Sequence, residues 1–400
     1  MRDSNGAYLA SSLATAGLVV SHILFAPDDF DTLVGDLRFL LEDEPEVLIV
    51  SGGLGTTHDD MTAAAIAAAV GKSLRRQPTA VRFVEQRLRE IARRRGLDAA
   101  ALREQALRQA RLPVGSRALP PAGLAPGFAL RHGRTRLYAF PGVPTELSEM
   151  WPPVLEEILA ADIVPPRGRR LLRLYGVGEM ELVPLLARRA TDLLEVSVTA
   201  ADGEITVALT YPRTNAAQAQ ADALVLALEA ALPVFSSYGQ TVDELIADAL
   251  RSRGQTVAVA ESCTGGLLGG RFTEMAGSSD YFLGGVIAYA NSVKEAALGV
   301  PSDVLASQGA VSEPVAAAMA RGARAATGAS FALSTTGIAG PGGATPTKPV
   351  GLVYIACAAE TGVTVRRHEF PGNRQAVRQR AVVAALHLLR ETLEGRNTSP

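Results

Sequence analysis

The chain has 400 residues, of which 48% are hydrophobic and 20% are charged, and its formal net charge is −2. This composition indicates a globular protein of two or three domains and excludes a largely disordered chain. The near-neutral balance gives no overall attraction to nucleic acid or to an anionic membrane, and two cysteines are too few for a disulfide framework. We therefore expect a cytoplasmic protein with neither a membrane span nor a nucleic-acid partner.

Residues 1–160 alternate helical and strand patterns, which predicts an α/β domain with a parallel sheet. A helix is expected to begin at Ser4 or Asn5, followed by a strand over Leu18–Leu24. Val47–Val50 form a short apolar run before the glycine-rich turn "SGGLGTTHDD", and a helix follows. The arginine-rich stretch 81–110 keeps apolar residues at helical spacing, so we interpret Arg93–Arg95 as a solvated helix face.

Two further domains are predicted after a proline-rich linker. Residues 168–238 read as a small α+β domain in which "EVSVTAADGEITVALTYP" forms a hairpin turning at "ADGE". A third domain, 240–396, begins with a helix over Val242–Arg251 and the strand "TVAVA". The predicted fold class is therefore α/β with three domains.

Three segments of the third domain combine glycine with small polar or basic residues: "AESCTGG", "STTGIAGPGG" and "FPGNRQAVRQR". The first two follow apolar runs, so their loops are expected at strand ends, where open α/β sheets bind ligands. Glycine amides can approach an anion closely, and Arg374 and Arg378 at i,i+4 spacing are suited to a phosphate. Ordinary tight turns would explain one such loop; three in one domain favour a binding site.

Lys294 is the residue that points to catalysis. Only 3 of the 39 basic residues are lysines, namely Lys72, Lys294 and Lys348. An arginine stays protonated in a protein, whereas a buried lysine can lose its proton and then activate a serine hydroxyl. Lys294 follows Ser278, Ser279 and Tyr289 in the sequence, with no histidine nearby.

Six motifs together resemble one known family. "AESCTGG", "GSS…Y.N..K", "GAVSE", "TGIAGPGG", "KPVG" and "PGNR..VR" occur in order over about 240–395. They are similar to the amidohydrolase domain of the CinA family of competence/damage-inducible proteins. The resemblance implies hydrolysis of nicotinamide mononucleotide to nicotinate mononucleotide and ammonia, with no cofactor and with a homodimer as the usual assembly.

The resemblance also implies roles for individual residues. Ser279 would be the nucleophile, Lys294 the base and Tyr289 an accessory in proton transfer. A second assignment stays open, with Ser262 as the nucleophile and Ser279 as its relay. Backbone amides near Ser262 would stabilise an oxyanion. The implied substrate-binding residues are Thr264, Gly265, Gly266, Asn291, Gly337, Ala339, Gly340, Gly342, Lys348, Arg374 and Arg378.

The first domain resembles the molybdopterin-binding-like domain that opens CinA proteins, through "SGGLGTTHDDMT", "LAPGF" and "PGVPTELSEMW". A glycine turn after a strand can hold phosphate, and Asp60 could hold a divalent cation. The implied nucleotide site consists of Gly52, Gly53, Gly55, Thr57 and Asp60.

Several features of the first domain depart from the family pattern. The usual first strand with its Gly-Thr-Glu-Leu segment is not in the sequence. Thr56 stands where the family has proline, and "GLAPGF" replaces "GTAPGF". These departures weigh against the metal-dependent ADP-ribose pyrophosphatase activity associated with such domains and favour a structural role. The alternatives to a deamidase are thus that pyrophosphatase, or a non-catalytic partner in competence or recombination.

Overall fold

A computed structural model describes residues 4–57, 59–161, 167–187 and 193–396. The chain divides into two compact units, Met1–Gly168 and Arg169–Pro400. Within the described residues no helix is both long and apolar enough to cross a membrane.

The first unit alternates helices and strands along most of its length. Its helices are α1 (Asn5–Thr15), α2 (Phe30–Glu42), α3 (Thr62–Ala69), α4 (Pro78–Arg95), α5 (Ala99–Ala106) and α6 (Pro144–Ala160). Its strands are β1 (Val47–Ser51), β2 (Leu74–Arg76), β3 (Arg111–Pro113), β4 (Arg117–Leu119), β5 (Gly127–His132) and β6 (Thr135–Phe140).

Four of these strands form a sheet in the order β1-β6-β5-β4, with β1 parallel to β6 and the other pairs antiparallel. The apolar sides of α3, α4 and α6 pack on this sheet. The predicted helix at Ser4 or Asn5 is confirmed, with Ser4 as the residue before α1. The predicted strand over Leu18–Leu24 is wrong: this stretch has no regular secondary structure, and Val19, Ile23 and Leu24 are exposed.

The second unit begins with a small α+β sheet, as the sequence predicts. Its elements are β7 (Arg167–Tyr175), α7 (Glu179–Ala187), β8 (Glu195–Ala201), β9 (Glu204–Pro212), α8 (Asn215–Ala231) and β10 (Val234–Ser236). The sheet order is β10-β7-β9-β8, and α8 packs on it. The predicted hairpin turns at Asp202 and Gly203, which have φ values of 52° and 95°. Two consecutive positive φ angles are what the right-handed twist of a two-residue hairpin requires.

The rest of the second unit is a three-layer α/β domain. Its helices are α9 (Val242–Arg253), α10 (Leu267–Thr273), α11 (Asn291–Leu298), α12 (Ser302–Gln308), α13 (Glu313–Thr327) and α14 (Arg374–Leu393). Its strands are β11 (Val257–Glu261), β12 (Phe282–Ile287), β13 (Phe331–Gly337), β14 (Leu352–Ala359) and β15 (Gly362–Glu369). The predicted helix from Val242 is confirmed and begins with a capping box of Thr241 and Glu244.

The five strands run in the order β12-β11-β13-β14-β15. The first three are mutually parallel, and β14 and β15 are antiparallel additions. One face of the sheet packs on α9, α10 and α14, and the other packs on α13. This arrangement brings the loops after β11, β12 and β13 to one edge of the sheet, where open α/β sheets bind ligands.

Candidate active site

Ser262, Tyr289 and Lys294 all lie at the carboxyl edge of the three parallel strands. Ser262 directly follows β11, and Glu261 at the end of that strand is in register with Ile287, the last residue of β12. Tyr289 comes two residues after Ile287, and Lys294 lies in the first half of α11 just beyond it. The parallel register therefore places Ser262, Tyr289 and Lys294 at the same edge of the sheet.

The amine of Lys294 is buried and held by two backbone carbonyls. The residue is only 1% exposed. Its Nζ donates hydrogen bonds to the carbonyl oxygens of Ala288 at 2.7 Å and Tyr289 at 3.0 Å. Burial lowers the pKa of Lys294, because the interior disfavours the charged form. A neutral amine has two N–H donors and one lone pair, so two acceptors satisfy its donors and leave the lone pair able to accept a proton.

Ser279 is not close to Lys294, which corrects the expected pairing of Ser279 with this base. Ser279 lies in a short 3₁₀ turn, Ser278–Asp280, that precedes β12 and is exposed at the amino edge of the sheet. Lys294 follows the carboxyl end of the same strand. The six residues of β12 lie between them, and a strand of that length extends about 20 Å, at about 3.3 Å per residue. The motif "GSS…Y.N..K" contains the whole of β12, so its serines and its lysine lie at opposite ends of that strand.

The loop after β11 is held by backbone and side-chain bonds on both sides. The amide of Ser262 donates to the carbonyl of Thr335 on β13 at 2.9 Å, and the hydroxyls of Thr264 and Thr335 are 2.7 Å apart. The Arg378 guanidinium donates to the carbonyls of Cys263 at 3.1 Å and Thr264 at 2.6 Å. The Ser262 hydroxyl itself is half-buried and has no hydrogen-bond partner among the described residues, so it is available to a substrate.

The carboxylate of Glu261 holds the later part of this loop by hydrogen bonds. Its side chain is 1% exposed, and it accepts hydrogen bonds from the amides of Gly266, Leu268 and Gly269 at 2.8 to 3.1 Å. A carboxylate at this position satisfies the free amides that begin α10 and complements the helix dipole. The amide of Gly266 is therefore already bonded to Glu261, and the prediction that Gly266 binds the substrate stays a prediction. The amide of Gly265 has no such acceptor within the described part of the chain.

Arg374 connects two loops of the site. Its guanidinium donates to the carbonyl of Gly340 at 2.9 Å and to the phenol oxygen of Tyr289 at 3.2 Å. The Tyr289 side chain is otherwise 61% exposed. Because the phenol oxygen accepts from Arg374, the Tyr289 O–H remains free to donate to a substrate or to the base.

A cleft of about 320 Å³ borders the loop, lined by Leu267, Arg374, Gln375, Arg378 and Gln379. The two glutamines were missed by the sequence analysis, although Gln375 lies three residues before Arg378 and four before Gln379, a spacing that places them along one helix face. Thr335 was also missed, because its contact with Thr264 depends on strand pairing, and Glu261 was missed because its bonds depend on how the loop after β11 folds back.

The remaining predicted binding residues differ in their surroundings. Gly337 ends β13, and a Cβ there would be 2.7 Å from the carbonyl of Leu352, so glycine is needed for packing. Ala339 is buried, whereas Gly342 is exposed and Asn291 is the exposed first residue of α11. Lys348 donates to the carbonyl of Gln308 at 2.7 Å, so its amine fastens the loop after β13 to the end of α12.

In the predicted nucleotide site of the first unit, the carboxylate of Asp60 bonds to the loop that contains it. The Asp60 carboxylate accepts from the amide of Thr57 at 2.8 Å and from the Thr57 hydroxyl at 2.5 Å. Cβ atoms at Gly53 and Gly55 would lie 2.2 Å from Thr62 and 2.4 Å from Asp60, which explains both glycines by packing. The amide of Gly52 bonds the carbonyl of Phe140 at 3.0 Å.

These residues do not fit a divalent metal ion. The oxygen of Asp60 that bonds Thr57 is already occupied, and among the described residues no group of three or more His, Cys, Asp or Glu side chains is arranged to hold a metal. The pyrophosphatase activity stays a prediction from the sequence.

Comparison with known proteins agrees with this architecture. Residues 239–393 match the CinA C-terminal domain, and residues 1–161 match a probable molybdopterin binding domain. A CinA-like protein of Mycolicibacterium vanbaalenii is 39% identical over 410 residues, covering 99% of this chain and 95% of that protein. A CinA-like protein of Mycobacterium tuberculosis is 36% identical, covering 100% of this chain and 95% of its own length.

Solved structures match a smaller part of the chain. The competence/damage inducible protein CihA from Agrobacterium tumefaciens is 40% identical, with 38% of this chain and 95% of that chain covered and a TM-score of 0.37. The identity and coverage of the two full-length relatives are high enough to establish the family. The chain belongs to the CinA family.

Proposed function

We propose that the carboxyl-terminal domain hydrolyses the carboxamide of nicotinamide mononucleotide, and that Ser262, not Ser279, is the nucleophile. The observation that carries this proposal is the position of Ser262, Tyr289 and Lys294 at one sheet edge, with the Lys294 amine buried and its two N–H groups bonded to carbonyls. Ser279 lies at the other edge of the sheet, so we assign it no step of the reaction.

The proposed chemistry uses only groups of this chain and the substrate. Lys294 accepts the proton of the Ser262 hydroxyl, with the Tyr289 phenol as relay, and the serine oxygen attacks the carboxamide carbon. The amides after Ser262 stabilise the oxyanion. The C–N bond then breaks, and the proton held by Lys294 leaves with the nitrogen as ammonia. Water, activated by the same amine, hydrolyses the acyl ester to give nicotinate mononucleotide and the free serine.

The cleft along α14 suits the phosphate-bearing half of the substrate. Two guanidinium groups, Arg374 and Arg378, and the positive end of the 20-residue helix α14 give it a favourable potential for an anion. Both arginines also bond loop carbonyls, so we assign them a double role: they hold the loops together and attract the phosphate. Gln375 and Gln379 supply neutral hydrogen-bonding groups beside them.

The test is ammonia release from nicotinamide mononucleotide by the purified protein and by Ser262→Ala, Ser279→Ala and Lys294→Arg. Loss of a nucleophile or base typically costs a factor of about 10³ or more, so Ser262→Ala and Lys294→Arg should be nearly inactive. Ser279→Ala should stay within about threefold of the unsubstituted protein. An inactive Ser279→Ala beside an active Ser262→Ala would reverse the assignment, and an inactive unsubstituted protein would refute the proposed reaction.

We also propose that the protein forms a homodimer through the outer edge of β12. This edge strand exposes Leu283 by 47% and Ile287 by 56%, and its outer side has no strand partner among the described residues. Apolar side chains on an unpaired edge favour association with another chain. Light scattering should give a dimer that Ile287→Glu converts to monomer, with Leu226→Glu, another exposed leucine, as the matched control. A monomer in the unsubstituted protein would contradict this.

A further inference from the structure

Basic charge is concentrated in one segment of the first unit. Residues 72–117, here called the basic segment, contain 13 of the 39 lysines and arginines but only 4 of the 41 acidic residues. The segment therefore carries a net charge of +9 in a chain whose net charge is −2. The near-neutral net charge of the whole chain averages over this asymmetry and therefore does not describe the local charge of the basic segment.

Several arginines of the basic segment lie in a row along the exposed side of helix α4. Its buried side is formed by Ala80, Val84, Leu88 and Ala92. Arg82, Arg89 and Arg93, here called the arginine stripe, are exposed. At about 100° per residue they fall within about 40° of one another on the side opposite the buried one, over about 17 Å of helix axis.

The acidic residues of the basic segment are already engaged. Three make ion pairs with arginines outside the arginine stripe and one caps α5: Glu85 with Arg103, Glu90 with Arg87, Glu104 with Arg76, and Asp98 with the amide of Ala100. Within the described parts of the chain no carboxylate lies within ion-pair distance of Arg82, Arg89 or Arg93. The neighbouring Arg94 and Arg95 likewise have no ion pair there. The arginine stripe thus carries positive charge that only an external anion can neutralise.

The chemistry of this surface fits a phosphate backbone. Arginine binds phosphate in a fork geometry, and a row of cations gains affinity from a linear polyanion by releasing its counterions. Single-stranded nucleic acid is bound through aromatic platforms, and the one aromatic residue of α4, Phe83, packs against the core. A helix lying on a membrane would turn apolar side chains to the surface, whereas those of α4 face inwards.

We propose that the arginine stripe of α4 binds the phosphate backbone of duplex nucleic acid without reading its sequence. This site lies in the first unit and is independent of the deamidase reaction. Three phosphate contacts predict a slope of log affinity against log salt of about −2.7, so affinity should fall by about 40-fold between 50 and 200 mM salt.

The experiment measures fluorescence anisotropy of labelled 20-base-pair duplexes with the full-length protein. One variant carries Arg82→Gln, Arg89→Gln and Arg93→Gln. A matched control carries Arg134→Gln, Arg213→Gln and Arg321→Gln, which are exposed arginines elsewhere with no ion pair among the described residues. We expect the stripe variant to lose at least tenfold in affinity at 50 mM salt and most of the salt slope. The control should stay within about threefold, and two duplexes of unrelated sequence should bind equally.

Several outcomes would overturn the proposal. These are no duplex binding at 50 mM salt, equal losses in the two variants, tighter binding to a single strand than to the duplex, or binding to phosphatidylserine vesicles in place of the duplex. DNA and RNA duplexes are compared to identify the polymer, and binding to either supports the proposal. Unchanged ammonia release and circular dichroism in the stripe variant show that it is folded, so a lost duplex affinity reports on α4 alone.

Discussion

The Arg374 guanidinium donates a hydrogen bond to the phenol oxygen of Tyr289 at 3.2 Å and a second to the carbonyl of Gly340 at 2.9 Å. One side chain on α14 thereby joins the loop after β12 to the loop after β13. The link fixes an otherwise exposed phenol at the sheet edge where Ser262 and Lys294 lie. The position of a candidate proton relay thus depends on a residue 85 positions away in the sequence.

Arg374→Lys should lower kcat/KM for nicotinamide mononucleotide by about 10- to 100-fold. A lysine keeps the charge but cannot present two N–H groups in fixed directions to Tyr289 and Gly340, so the phenol is misplaced. Steady-state ammonia release measures the effect. Arg321→Lys, at an exposed arginine of α13, is the control and should be near normal. Equal activity in both variants would show that the link to Tyr289 is not needed.

The pH dependence of the reaction should report the buried amine. Burial lowers the pKa of Lys294 from its ordinary value of 10.5, and the amine acts as a base only when it is neutral. Log kcat/KM should therefore rise with pH and then level off, and the midpoint of the rise should lie below pH 10.5. Ser279→Ala should give the same profile. A midpoint at or above 10.5 would exclude this amine as the base.

Glu261→Gln should destabilise the protein by about 1–3 kcal/mol and also reduce deamidase activity. The substitution removes the negative charge that three amides and the start of α10 surround, and it replaces one acceptor oxygen by a donor. Thermal unfolding and ammonia release should fall together. Glu295→Gln, on the exposed side of α11, should alter neither. A stable but inactive Glu261→Gln would instead indicate a direct catalytic role.

His387 should make the protein less stable in mild acid. Its Nε2 lies 2.6 Å from a carboxylate oxygen of Glu204, its ring stacks on Tyr175 at 3.8 Å, and Arg390 donates to its Nδ1 at 3.3 Å. Burial lowers the pKa of His387 below 6.5, so the unfolded chain takes up the proton first as the pH falls. The His387 contribution to stability is therefore complete above pH 6.5 and decreases below it.

The measurement is the Tm at pH 7.5 and at pH 5.5 for the protein and for His387→Gln. The variant should have a lower Tm at pH 7.5, because it loses the stacking and leaves Glu204 without its partner. Its further drop at pH 5.5 should be smaller than that of the unsubstituted protein. Parallel drops would show that another group controls the acid sensitivity.

Much of the fold followed from local patterns in the sequence. The hairpin at Asp202 and Gly203, the helix capped by Thr241 and the strand before Ser262 were all predicted, since turn chemistry, capping and apolar runs act over a few residues. The segment Leu18–Leu24 was predicted as a strand for the same reason and is irregular. A strand also needs a partner to bond its backbone, and a short apolar run does not reveal whether one is present.

For the candidate site, the sequence by itself determined the family and the candidate groups: a lysine kept among arginines, and hydroxyls beside glycines. Only the tertiary structure decided which of these groups meet. Strand pairing places Ser262, Tyr289 and Lys294 at one edge of the sheet and Ser279 at the opposite edge, and burial lowers the pKa of the Lys294 amine. Spacing along a chain sets the distance between residues only within one turn or strand, whereas the register of parallel strands sets it across the sheet.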